Sequence, residues 1–215
     1  MAGASGHEGS SRVFLVVEDE PCEARLLALE LRRYAPALVA ASLAEARSVL
    51  RAQDALLGAI VDIGLPDGSG LELVAELRSR QPLLPVMVLT GLLSREAVNR
   101  AQALRAEFVC KPAGRENLDA FAQYALWCSR LESPELARLV QQLAPARQLT
   151  PREAELLALA LQGYGRTQIA ARFGVSEGTI KAHVRSILIK TGEGSLVALG
   201  QRILCEAWRG AARQR

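Results

Sequence analysis

Four apolar, strand-like runs each end on side chains able to do chemistry. Glu18, Asp19 and Glu20 follow Arg12–Val17, Asp62 follows Leu57–Val61, Thr90 follows Pro85–Leu89, and Lys111 follows Glu107–Cys110. Clustered carboxylates need a counter-charge. Hard oxygen ligands suit Mg²⁺, which keeps waters and is commonly shared with a phosphate. In such a cluster Asp19 and Asp62 are direct ligands and Glu18 acts through water. Asp62 is then also placed to accept a phosphoryl group covalently. Thr90 can donate its hydroxyl to one phosphoryl oxygen, and Lys111 can neutralise another as a point charge. Phosphoryl transfer is mostly positioning and charge stabilisation, so this small set suffices. One carboxylate after a strand is usually a loop solvator or a helix cap. A complementary set at four strand ends has no such bland account.

Lysine is scarce elsewhere. Of 26 basic residues only Lys111, Lys181 and Lys190 are lysines; the others are arginine. A compact ammonium and a planar guanidinium are not interchangeable, so the three lysines mark two regions to inspect.

The elements that must position the first region alternate. Strand-type runs at Arg12–Val17, Leu38–Ala41, Leu57–Val61, Pro85–Leu89 and Glu107–Cys110 are separated by helix-type patterns near Cys22–Tyr34, Leu43–Ala52, Gly70–Arg80, Ser94–Leu104 and Arg115–Arg130. Five strands alternating with five helices predict an α/β domain: a five-stranded parallel sheet covered on both faces. In such doubly wound sheets function gathers at the carboxyl ends of the strands.

A length of 215 residues predicts two small domains. The first eleven residues (Met1–Ser11) read as a disordered tail and not as a signal peptide. The α/β unit spans 12–130, a partly helical linker 131–147, and an all-helical unit 148–215. Residues 1–130 carry 14 basic and 16 acidic side chains, whereas 131–215 carry 12 basic and 7 acidic. Only the second part is therefore expected to meet a polyanion. No apolar run approaches the ~18 residues of a membrane span, so no membrane partner is expected. The four cysteines are widely spaced without a CxxC, which predicts reduced thiols in a cytoplasmic protein.

In the second part, Thr150 as N-cap, Pro151 at N1 and Glu153 at N3 predict a helix start with a capping box. It runs to a stop at Gly163. Arg166–Phe173 reads as a short helix, Gly174 as a turn, and Glu177–Thr191 as a third helix capped by Ser176. Ile180, Val184, Ile187, Leu188 and Thr191 repeat with the period of a buried face. Lys181, Ala182, Arg185 and Ile189 fall on the other. A short helix, a glycine turn and a helix exposing two cations describe a helix-turn-helix, whose exposed face can enter the major groove of double-stranded DNA. A solvated face on a small bundle is the plainer alternative.

Two resemblances extend these readings. Val16–Glu20, Val61–Gly70, Leu89-Thr90-Gly91 and Val109-Cys110-Lys111-Pro112 resemble the receiver domain of bacterial two-component response regulators, in order over residues 12–130. The resemblance implies a flavodoxin-like fold and phosphoryl transfer from a histidine kinase to Asp62. It implies Mg²⁺ held by Glu18, Asp19, Asp62 and the Gly64 carbonyl, a cis bond before Pro112, and Phe108 as a switch aromatic working with Thr90. Glu18 stands where aspartate is commoner. Gly64 and Leu92 place no polar side chain beside the phosphoryl group, which predicts slow decay of the phosphorylated form.

Leu149–Glu153, Gly163, Ile169-Ala170, Val175-Ser176 and Thr179–Val184 with Lys190 resemble the LuxR-type (NarL-type) helix-turn-helix domain over residues 148–208. That implies a four-helix DNA-binding domain with Thr179, Lys181, Ala182, Arg185 and Lys190 at the DNA, and a last helix, Leu196–Trp208, that helps form a homodimer. His183 fits the motif as a packed residue. Thr191–Leu196 departs from the family pattern, which usually has an apolar residue near 193 and a basic one near 196.

The expected protein is a DNA-binding transcriptional response regulator and not an enzyme, beyond accepting and losing its own phosphoryl group. One alternative keeps DNA binding and makes the receiver a phosphorylation-independent docking module. Another, an aspartate-dependent phosphatase of small molecules, would need more acidic residues and a substrate cap.

Overall fold

The computed structural model describes residues 12–53, 55–91, 95–131 and 133–212. The readings of Met1–Ser11 and of Leu92 lie outside these. From the N-terminus the chain runs β1 (Val13–Val17), α1 (Pro21–Leu31), β2 (Ala37–Ala40), α2 (Leu43–Ala52), β3 (Leu56–Asp62), β4 (Gly64–Leu65), β5 (Gly68–Ser69), α3 (Gly70–Arg80), β6 (Val86–Thr90), α4 (Arg95–Ala103), β7 (Glu107–Cys110) and α5 (Arg115–Arg130). There follow α6 (Ser133–Leu143), a 3-10 turn at Pro145–Arg147, α7 (Pro151–Leu161), α8 (Arg166–Phe173), α9 (Glu177–Thr191) and α10 (Leu196–Ala212). The chain forms two compact units: Met1–Glu76 with Leu84–Gln123, and Leu77–Leu83 with Tyr124–Arg215.

In the first unit all pairings of the main sheet are parallel, in the order β2-β1-β3-β6-β7. β1, β3 and β6 are buried along their whole length, as near-continuous runs of Val, Leu and Ile require when both faces are covered. The chain moves from β1 to one edge and then returns past it to β3. With right-handed crossovers this reversal puts helices on both faces and opens a crevice between the ends of β1 and β3. Val17 pairs with Val61, and Asp62 with Leu89, so Glu18 and Asp62 emerge at one level and Thr90 one residue further along, at the same end of the sheet.

Asp62 and Thr90 prove to be the last residues of their strands rather than the first beyond them. The hairpin β4–β5 was absent from the sequence expectation. Two-residue strands carry no readable alternation. The hairpin is fixed by Asp67, whose carboxylate accepts from Leu43 N at 2.8 Å and Ala44 N at 2.9 Å and so caps α2. These amide donors hold the Asp67 carboxyl below the usual carboxylate range. Gly68 has φ +149°, and a Cβ there would meet Leu43 at 2.8 Å.

The core of the second unit is aliphatic, with Leu156, Leu157, Ile180, Ile187 and Leu199 fully buried. Gly200 lets α10 approach α7, since a Cβ would stand 2.3 Å from Leu161. The expected capping box at Thr150 and Glu153 is formed. The last helix runs four residues beyond Trp208, to Ala212. Gly210 does not stop it, because one helical glycine costs only about 1 kcal/mol. Tyr124, Trp127 and Trp208 cluster with ring centroids 5.7–6.4 Å apart.

Candidate phosphoacceptor site and helix-turn-helix surface

The ends of β1, β3 and β7 bring Glu18, Asp62 and Lys111 together. Lys111 Nζ lies 2.7 Å from Glu18 Oε2 and 2.8 Å from Asp62 Oδ2. One carboxylate oxygen from each of Glu18, Asp19 and Asp62 lies within 4.8 Å of the others. Glu18 is 1% exposed and Asp62 7%, while Asp19 faces solvent. Burial pushes the Glu18 carboxyl up; the Lys111 hydrogen bond opposes this and the Asp62 charge adds to it. Burial disfavours the Lys111 charge, but the hydrogen bonds it donates to Asp62, Glu18 and Glu23 prevail and raise its pKa. The pocket is thus rich in negative charge and hard oxygen donors, the donor set that fits Mg²⁺.

The local chain supports this geometry. Gly64 N donates to Asp62 Oδ1 at 3.3 Å, and the Gly64 Cα faces open space, with nothing within 4 Å of where a Cβ would be. Gly70 starts α3 so close to β3 that a Cβ would lie 1.9 Å from the Asp62 carbonyl. Lys111 N donates to the Thr90 carbonyl at 2.9 Å, and the bond before Pro112 is cis. Thr90 is buried and Phe108 half-buried on adjacent β6 and β7.

Sequence reasoning missed Glu23. Its carboxylate lies 2.7 Å from Lys111 Nζ. A glutamate in the first turn of a helix reads simply as support for the helix dipole, so nothing in the pattern singled it out.

In the second unit α8, Gly174 and α9 form the expected helix-turn-helix elements. Gly174 is left-handed at φ +66°. Ser176 caps α9 through Thr179 N at 3.1 Å, and the Thr179 hydroxyl lies 3.0 Å from Ser176 Oγ. Ile180 and Ile187 are fully buried; Val184, Leu188 and Thr191 are half-buried. Lys181, Ala182 and Arg185 are exposed. Lys181 and Arg185 line an open groove with Arg166, Leu188 and Ile189.

Lys190 is placed differently. Its ammonium lies 2.7 Å from Oε2 of Glu153, which is 3% exposed. Ser186 Oγ donates to the other oxygen at 2.7 Å, and Thr150 N donates at 2.7 Å. Burial raises the Glu153 carboxyl, but these donors, Lys190 first, outweigh it and bring the pKa down to about 2. In the departing segment, Glu193 is 9% exposed and pairs with Arg202 Nε at 3.2 Å. An internal ion pair thus takes the place of the family's apolar residue.

Residues 14–123 match the family model of the response regulator receiver domain, and residues 147–201 match that of bacterial regulatory proteins of the luxR family. The chain belongs to the response regulators, with a receiver and a LuxR-type helix-turn-helix region. It is 35% identical over 143 residues to the "DNA-binding transcriptional activator DevR/DosR" of Mycobacterium tuberculosis, covering 62% of this chain and 66% of that protein. It is 33% identical over 135 residues to the "probable transcriptional regulatory protein SgaR" of Hyphomicrobium methylovorum, covering 62% and 63%. The match thus spans slightly less than two thirds of each relative. Full-length FixJ from B. japonicum shares the fold, with TM-score 0.53 and 21% identity over 92% of this chain and 98% of that one. No helix among the described residues is long and apolar enough to cross a membrane.

Proposed function

We propose that this chain is a cytoplasmic transcriptional regulator switched by phosphorylation of Asp62 by a partner histidine kinase. The observation that carries the proposal is the convergence of Glu18, at the end of β1, and Asp62, at the end of β3, within 2.8 Å of the Lys111 ammonium, which follows β7. Glu18, Asp19, Asp62 and the Gly64 carbonyl would hold Mg²⁺, which supplies charge neutralisation between the carboxylate and the incoming phosphoryl group. Asp62 is the nucleophile, Lys111 neutralises a phosphoryl oxygen, and Thr90 donates to another. Thr90 moving toward the phosphoryl group vacates space into which Phe108 turns. That change alters domain packing or homodimerisation, with a coupling of ~1–3 kcal/mol typical of such switches. The proposed domains are 12–130 and 148–215, joined by 131–147. Gly64, without a side chain, positions no attacking water, consistent with a long-lived phosphorylated form.

The output is binding of double-stranded DNA by α9, with Lys181 and Arg185 reaching bases or phosphates and Thr179 and Ala182 beside them. Lys190, held by Glu153, would act chiefly by fixing α9 to α7. Incubation with a small phosphodonor should label the wild-type chain, and Asp62→Ala should take no label. A labelled Asp62→Ala protein refutes the assignment. Lys181→Ala should weaken DNA binding and reduce the slope of log affinity against log salt by about one; unchanged affinity removes α9 as the DNA-reading helix.

A further inference from the structure

Lys111 has one carboxylate more than phosphoryl transfer needs. Its Nζ lies 2.7 Å from Glu18, 2.8 Å from Asp62 and 2.7 Å from Glu23. Glu20 is the N-cap of α1 and Pro21 its first residue, so Glu23 stands at N3. A glutamate there ordinarily turns back to the N-cap amide and closes a capping box. Here the Glu20 amide donates to Oε1 of Glu18 instead, at 3.3 Å, and α1 has no side-chain cap. The arm of Glu18 therefore reaches both that amide and Lys111, and it leaves the Glu23 carboxylate directed at the ammonium. Of the three carboxylates Glu23 is the exposed one: its side chain is 44% accessible, against 1% for Glu18 and 10% for Asp62.

We infer that Glu23 competes with the phosphoryl group for the Lys111 ammonium and so lowers the affinity of the site for that group. This rests on the phosphoacceptor reading of Asp62. An ammonium has three donors, and all three are matched by carboxylates. When Asp62 becomes an acyl phosphate its own carboxylate charge is lost, so its claim on Lys111 passes to the phosphoryl oxygens. Glu23 keeps its full charge, shares the same cation and repels the new dianion beside it. Phosphorylation is thereby balanced toward the unmodified state by a residue outside the transfer chemistry. Because Glu23 is partly in water, its effect is graded rather than all-or-none.

The test is calorimetric titration of beryllium fluoride, a phosphoryl mimic, into the full chain at saturating Mg²⁺. Glu23→Gln keeps the shape and removes the charge, and it should bind about two- to fivefold more tightly than wild type. Glu23→Asp keeps the charge on a shorter arm and should stay closer to wild type. Mg²⁺ alone should bind Glu23→Gln no more tightly than wild type, since a nearby negative charge has gone. A merely structural role for Glu23 in α1 would weaken both ligands together. Wild-type binding with unchanged or weaker binding by Glu23→Gln overturns the inference alone. Failure of the wild-type chain to bind beryllium fluoride overturns the phosphoacceptor reading, and the inference with it.

Discussion

Each unit of this protein buries a glutamate against a lysine, and the two pairs end in opposite states. Glu18 and Lys111 meet at 2.7 Å, as do Glu153 and Lys190. Glu18 has its pKa raised, while Glu153 is brought down to about 2. Distance does not distinguish them; the surrounding charge and donors do. Lys111 is divided among Glu18, Asp62 and Glu23, so the carboxylates outnumber the cation. Glu153 instead collects Lys190, Ser186 Oγ and Thr150 N for itself. One pair is therefore under-neutralised and receptive to a further cation, while the other is satisfied and holds α7 to α9. A buried ion pair signals function when its local charge does not balance, and it signals architecture when it does.

The comparison can be broken most decisively at Glu153. Glu153→Gln should destabilise the second unit by about 2–3 kcal/mol, because the buried carboxylate loses its charge-assisted hydrogen bonds with the half-exposed Lys190, with Ser186 and with Thr150, and a capping partner is altered. Both tryptophans, Trp127 and Trp208, lie in that unit, so the urea midpoint of tryptophan fluorescence measures this directly. An unchanged midpoint would mean the pair is solvated and holds nothing. Acid should act through the same group. Its folded pKa is depressed, so its contribution is complete above the unfolded value of 4.5 and is lost as pH falls toward about 2. The loss should be on the order of 2–3 kcal/mol, seen as a falling midpoint across that window, and absent in Glu153→Gln.

The smallest effect should carry the opposite sign. Glu18→Gln removes a desolvated charge from an over-negative cluster while Lys111 keeps Asp62 and Glu23. It should stabilise the first unit by up to about 1 kcal/mol, read by hydrogen exchange of the β1 and β3 amides. The same substitution should weaken Mg²⁺ binding by tenfold or more, as a charged ligand is lost. Destabilisation by Glu18→Gln would erase the contrast between the two units.

Much of this was legible in the chain itself. The alternation of apolar runs and helical patterns located ten elements of the α/β part to within a few residues, since the parallel strands are buried on both faces and read as plain hydrophobic runs. Asp62, Thr90 and Lys111 were found because strand ends converge in such a sheet whatever the details. The capping box at Thr150 and the glycine at 174 punctuated the helical part for local steric reasons. The hairpin β4–β5 escaped because its strands have two residues each. Helix α10 outran its expected end because glycine penalises a helix without terminating it.

The lysines show where sequence stops and tertiary structure begins. Position in the pattern marked Lys111 and Lys181 correctly as the end of a strand and the open face of a helix, because both follow from local periodicity. The partners of a charge do not follow from periodicity. Glu23 reaches Lys111 across 88 residues of chain, and Glu153 reaches Lys190 across 37. Which carboxylate meets which ammonium depends on how the start of α1 is placed against the residue that follows β7, and on how α7 packs against α9. Side-chain type and spacing therefore determined the main sheet, its helices and the groups that stand at the strand ends. Only packing decided the balance of charge around each one, since burial and a few ångströms of separation set both the strength of each pair and the groups left to share it.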